Sequence, residues 1–146
     1  MDMQMIGMAC DHAGYKMKES LKRWLARQGY KIVDFGTHSE ESMDYPDTAH
    51  PLAVALERGQ VDFGIALCGS GNGISMTLNK HQGVRAALCW KSELGALAKQ
   101  HNNANVLSLP ARFVSLRLAK EIVTAYMNAK FEGGRHQRRV EKIACK

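Results

Sequence analysis

Apolar residues along the chain fall into two alternating patterns. Short runs at Met5 to Ala9, Lys31 to Phe35, Phe63 to Leu67, Val84 to Cys89 and Asn105 to Leu109 have the length of buried strands, each ending at Gly, Asp, His, Cys or Pro. Longer stretches with helical spacing lie between them. Tyr15 to Gln28 sets Met17, Leu21, Trp24 and Leu25 on one stripe, with Lys16, Lys22, Arg23 and Arg27 elsewhere and Gly29 as a C-terminal stop. Pro46 to Arg58, Ser92 to Gln100 and Phe113 to Lys130 have the same character.

Five strand–helix alternations imply right-handed crossovers and a parallel sheet covered on both faces. The pattern does not fix the strand order. Ligands in such sheets bind beyond the carboxyl ends of the strands, so the residues that follow each strand are informative. They are Cys10-Asp11-His12-Ala13-Gly14, then Gly36-Thr37-His38 continuing to Asp44-Tyr45-Pro46, then Cys68-Gly69-Ser70-Gly71-Asn72-Gly73, then Trp90-Lys91-Ser92, then Pro110-Ala111-Arg112. Polar chemistry is expected to collect at this edge.

Composition narrows the class. A chain of 146 residues with 45% hydrophobic and 23% charged residues can bury one core, so one domain over 1–146 is expected. No run of roughly 18 apolar residues occurs, and Met1-Asp2-Met3-Gln4 carries no signal-peptide pattern, so a cytoplasmic protein without membrane contact is expected. Cys10, Cys68, Cys89 and Cys145 are widely separated, with neither zinc-finger spacing nor the density of a disulfide scaffold, and read as reduced thiols. No metal site is expected.

The net charge of +6 is uneven. Residues 1–100 carry 11 Lys/Arg against 11 Asp/Glu, whereas residues 101–146 carry 9 against 3. Arg135 and Arg139 are four apart, on one face if helical, and suit a two-pronged phosphate clamp. A solvated tail is the plain alternative. Nucleic acid is a poorer fit, because few aromatic residues interleave the charges and the first 100 residues are neutral.

The loop Gly69-Ser70-Gly71-Asn72-Gly73 lets backbone N–H groups approach a ligand, and a helix starting near Ile74 would aim its positive end at an anion. It is neither a Walker loop, which needs Gly-Lys-Ser/Thr, nor a dinucleotide fingerprint, since Ile74 stands where glycine is required. Cys68 at its entrance should have its thiolate favoured and could act as base or nucleophile. On local pattern alone, a small buried residue ending a core strand is an equal reading. His101 and Asn102 offer an acid–base group and a hydroxyl-binding amide, or else a polar helix cap; Asp11-His12 is open in the same way.

Together these segments, with Asn79-Lys80, Gln100-His101-Asn102 and Gly133-Gly134-Arg135-His136-Gln137, resemble the ribose-5-phosphate isomerase B family, which includes allose-6-phosphate and galactose-6-phosphate isomerases. The resemblance spans nearly the whole chain and rests on motif order as well as content. It implies a three-layer α/β/α Rossmann-like domain with a five-stranded parallel sheet, in which residues 131–146 form a basic extension completing a phosphate site. It implies an aldose–ketose isomerase of phosphorylated sugars that needs no cofactor. The substrate would be ribose 5-phosphate, with allose 6-phosphate, galactose 6-phosphate or a tetrose phosphate as alternatives, and a non-catalytic phosphate-binding regulator as a further one. A homodimer with shared active sites is implied, with a dimer of dimers as a larger assembly.

By position, the resemblance makes Cys68 the base between C1 and C2 and gives His101 the opening of the cyclic sugar. Asp11 and His12 line the sugar and phosphate end, with Ser70 and Asp11 also assisting the chemistry and Tyr45 in the binding site. Asn102 binds hydroxyls, Arg112, Arg135 and Arg139 take phosphate, and the amides of Gly69, Ser70, Gly71, Asn72 and Gly73 hold the developing oxyanion. Members without this cysteine carry Glu where Ile74 stands here, so Cys68 with no acid at 74 is self-consistent.

Overall fold

The computed structural model describes residues 4–145. Its strands are β1 (Met5–Cys10), β2 (Lys31–Asp34), β3 (Phe63–Cys68), β4 (Ala86–Leu88) and β5 (Val106–Pro110). Its α-helices are α1 (Tyr15–Arg27), α2 (Pro46–Glu57), α3 (Asn72–Leu78), α4 (Ser92–Gln100), α5 (Leu116–Asn128) and α6 (Arg135–Glu141), with a 3-10 turn at His12–Gly14. The strands form one parallel sheet in the order β2-β1-β3-β5-β4, which the periodicity left open.

Every residue of β3 and β5 is buried, as expected for parallel strands covered on both sides. Alternation then sorts their side chains. Phe63, Ile65 and Leu67 join the core beneath α1, α4 and α5, while Ala66 and Cys68 join the one beneath α2 and α3. The second core is lined by small residues: Ala9, Ala66, Ala49 and Ala53 pack there, and Leu52 of α2 lies over Gly7 and Gly64. A methyl group at Gly64 would stand 3.2 Å from both Leu52 methyls, so glycine lets α2 approach the sheet closely.

Two expected boundaries move. The last long helix starts at Leu116 rather than Phe113 because the Ser115 hydroxyl accepts a hydrogen bond from Leu118 N–H at 3.0 Å and caps it there. β4 shrinks to three residues at the sheet's edge, where it has only β5 to pair with. Among the described residues no helix is long and apolar enough to cross a membrane.

One buried charge ties the layers together. Lys18 of α1 is fully buried, and its Nζ lies 2.6 Å from Asp34 Oδ2 at the end of β2. Lys22 Nζ reaches the same oxygen at 2.9 Å, and Gly36 N–H donates to Asp34 Oδ1 at 2.9 Å. The Gly36 carbonyl in turn accepts from Cys10 N–H at 2.7 Å, so this network fixes the end of β1.

Removing the carboxylate leaves the buried Lys18 only Glu19, whose Oε1 lies 3.5 Å from its Nζ. Asp34→Ala should therefore cost about 3 kcal/mol of unfolding free energy, measured by denaturant titration. Burial raises the Asp34 pKa, but the hydrogen bonds from Lys18, Lys22 and Gly36 outweigh it and hold the carboxyl below its ordinary range. A depressed folded pKa contributes stability above the unfolded value of about 4, lost as pH falls through the folded value. Wild-type stability should thus fall below about pH 4, and Asp34→Ala should flatten that slope.

Candidate active site

Cys68 ends β3 with its side chain on the α2/α3 face, packed among Ile74, Leu78, Ala49 and Ala53 and nearly buried. The chain then turns through Gly69-Ser70-Gly71 into α3, which begins at Asn72, two residues ahead of the expected start. Gly71 has φ +77°, a conformation that favours glycine. The loop's carbonyls face inward: Ser75 Oγ donates to Gly71 O at 2.7 Å and Thr77 Oγ1 to Gly73 O at 3.0 Å. The Ser70 hydroxyl accepts from Asn72 N–H at 3.2 Å, closing the turn.

Each glycine of this loop lies under a neighbouring side chain. A methyl group at Gly69 would stand 3.1 Å from Arg112 Nη1, one at Gly71 would strike Leu88, and one at Gly73 would strike the Tyr45 ring. Arg112 and Tyr45, expected as binding residues, are thus brought against the Cys68 loop. The link to β5 is also direct, because Ala111 N–H donates to Cys68 O at 2.9 Å and Arg112 N–H to Gly69 O at 3.0 Å.

From β1, Asp11 caps the 3-10 turn, its Oδ1 accepting from Ala13 N–H at 3.0 Å and Gly14 N–H at 3.2 Å. His12 Nδ1 accepts from Met43 N–H at 3.2 Å, which leaves the neutral ring its proton on Nε2 as a donor. Thr48, absent from the sequence reading, is buried and donates to Cys10 O at 2.9 Å, with Tyr45 O at 3.2 Å. It fastens the start of α2 to the end of β1; a threonine three residues into a helix is the only sequence signal for it.

His101, Asn102, Arg135 and Arg139 are elsewhere. His101 ends α4, which runs back from the carboxyl edge of the sheet, so His101 and Asn102 stand at the amino edge, where Asn105 bonds Gly64 and Arg85 at the starts of β3 and β4. Glu132 N–H donates to Gln100 O at 3.0 Å, which brings the segment leading into α6 to the same edge. β3 alone separates the two edges by roughly 17 Å, at about 3.3 Å per residue. The segments that follow the strands do collect at one edge, but the remaining candidates do not join them: one chain carries Asp11, His12, Tyr45, the Cys68 loop and Arg112 at one end, and His101, Asn102, Arg135 and Arg139 at the other. Arg135 and Arg139 do share a helix, as their spacing predicts.

The cysteines differ in setting. Burial pushes the Cys10 and Cys89 thiols up to about 12, so both are inert near neutral pH. Among the four free cysteines, only Cys68 adjoins the glycine loop, while Cys145 lies exposed near the C-terminus. Leu78 is fully buried core, and Trp90 is half-exposed and borders an open depression with Ser70, Asn72 and Phe113.

The chain is similar to known proteins over nearly its whole length. The Ribose/Galactose Isomerase family profile matches residues 6–143. Ribose-5-phosphate isomerase B of Escherichia coli (strain K12) is 45% identical over 143 residues, covering 98% of this chain and 96% of that protein. The D-erythrulose-4-phosphate isomerase of Pectobacterium atrosepticum is 38% identical over 139 residues, covering 94% and 91%. The crystal structure of ribose-5-phosphate isomerase B from Mycoplasma genitalium with bound ribulose-5-phosphate superposes with a TM-score of 0.93 at 41% identity, covering 97% of this chain and 95% of that one. Matched by the family profile over residues 6–143 and by a relative of 45% identity over nearly its whole length, the chain belongs to the Ribose/Galactose Isomerase family.

Proposed function

We propose that this protein is an aldose–ketose isomerase interconverting ribose 5-phosphate and ribulose 5-phosphate, with the Cys68 thiolate as base. The observation that carries it is the placement of one nearly buried thiol at the mouth of a glycine loop whose carbonyls are already bonded inward. The thiolate removes the C2 proton of the open-chain aldose, and the electron pair moves through a C1–C2 double bond onto the carbonyl oxygen. Loop N–H groups meet that developing charge in a setting with little water. Delivery of the proton to C1 and transfer of the O2 proton to O1 complete the ketose. Asp11 and Ser70 hold the hydroxyls, and His12 donates through Nε2.

The four residues at the amino edge enter this site from a second copy. His101, Asn102, Arg135 and Arg139 stand at the edge opposite Cys68 in their own chain, and among the described residues α6 packs extensively against no other element. A homodimer exchanging these edges places the ring-opening imidazole and the phosphate arginines opposite each Cys68. Free rather than paired cysteines suit a reducing cytoplasm.

Cys68→Ala should fold normally and lose about 10³-fold in turnover; near-normal turnover in a folded variant would remove the thiol from the mechanism. A tetrose phosphate is the second reading, favoured by the Pectobacterium relative. A panel of tetrose, pentose and hexose phosphates, assayed with a chelator present, ranks them by kcat/KM.

Sharing across copies has its own signature. Cys68→Ala and His101→Ala, each inactive alone, should recover about a quarter of wild-type activity when unfolded and refolded together, because half the dimers are mixed and each carries one intact site. No recovery would place both residues in one chain's site.

A further inference from the structure

Beside His101 stand two residues to which neither the motif comparison nor the chemistry above gives a task. Glu132 and His136 flank the turn Gly133-Gly134, whose φ values of +68° and +56° suit glycine and fold the chain back on itself. The fold-back, with Glu132 N–H bonded to Gln100 O, sets the His136 ring on the His101 ring. The two are stacked with centroids 4.1 Å apart and planes within 10°. Glu132 Oε1 lies 3.6 Å from Nε2 of each ring, ion-pair distance from both.

We propose that Glu132 and His136 are positioning residues for His101 in opening the cyclic sugar, an inference that rests on the ring-opening role given to His101 above. His136 is nearly buried, so it is the fixed platform; His101 is about 39% exposed and, without the stack, would rotate freely. Burial first, then His101 and Arg135, hold the His136 imidazole below its ordinary range, with Glu132 acting in the opposite direction. Glu132 supplies the one carboxylate facing Nε2 of His101. Ring opening moves a proton from the anomeric hydroxyl to the ring oxygen as the C1–O4 bond breaks and C1 becomes a carbonyl. An imidazole that gives one proton and takes the other gains from a fixed plane and a nearby negative charge.

The same three atoms fall within 4.8 Å of one another, a spacing that a cation could use. Their orientation argues otherwise. Parallel rings direct their Nε2 lone pairs side by side rather than at one point, and Arg135 and Arg139 add positive charge to the neighbourhood.

The test separates ring opening from proton transfer. Ribulose 5-phosphate cannot close a five-membered ring through its phosphorylated terminal oxygen, so exchange of its C1 proton with D₂O reads the Cys68 step without ring opening. Glu132→Gln and His136→Ala should lower ribose 5-phosphate turnover about 10-fold while leaving that exchange within about 2-fold of wild type. His136→Phe, which keeps the stack, should restore most of the turnover. If turnover and exchange fall together, or if Phe and Ala at 136 behave alike, the positioning role is overturned. His101→Ala run alongside distinguishes the deeper failure: if it too lowers turnover and exchange equally, the ring-opening role of His101 is wrong, and the inference falls with it.

Discussion

Three close approaches govern the site. Arg112 lies over Gly69, Leu88 over Gly71 and the Tyr45 ring over Gly73, each occupying space that any larger residue would need. Packing therefore favours glycine at all three positions, and at Gly71 the φ of +77° requires it as well. The three covering residues come from the loop after β5, from β4 and from the start of α2, so the loop records the positions of three different elements. A loop held this way has its N–H groups fixed before any ligand arrives, which is what stabilisation of a transient oxyanion demands. The small residues under α2 serve the same end: Leu52 over Gly7 and Gly64 lets the helix lie close enough for Tyr45, at its start, to reach Gly73.

A parallel sheet has two unlike edges, and the chain loads both. The carboxyl edge holds the thiol, the anion loop, Asp11 and His12; the amino edge holds His101, Asn102 and the arginines of α6. Strand–helix–strand topology makes this inevitable for His101, because a crossover helix must return to the amino edge before the next strand can start. No folding of a single chain can join the groups across the length of β3. On the reading proposed above, topology is the reason that two copies would divide one reaction between them.

Most of the fold was legible in the sequence. Buried parallel strands read as continuous apolar runs, and Gly29 and Pro46 mark helix ends by chemistry that does not depend on tertiary context. Three features were not legible. Strand order depends on which crossover skips a position, and the periodicity of β4 and β5 is the same in either order. Which edge a polar segment joins requires tracking chain direction through each helix, and the motif around His101 does not by itself show its edge. Lys18 sits four residues from Lys22 in a helix rich in basic residues, and only Asp34, sixteen positions away, reveals it as buried rather than solvated.

The uneven charge now has a structural reason. Of the nine basic residues after position 100, Arg135, Arg138 and Arg139 share α6 and Lys142 caps it, and this helix packs extensively against no other element of its own chain. An apolar arm left exposed in this way would collapse onto its own core or aggregate. A charged arm stays solvated, and on the reading proposed above its charge serves a phosphate. His136 is the exception, the buried residue by which the arm is anchored to His101. The anchor point and the charge therefore lie on the same short helix: His136 fixes the arm to the end of α4, while Arg135 and Arg139 beside it stay exposed.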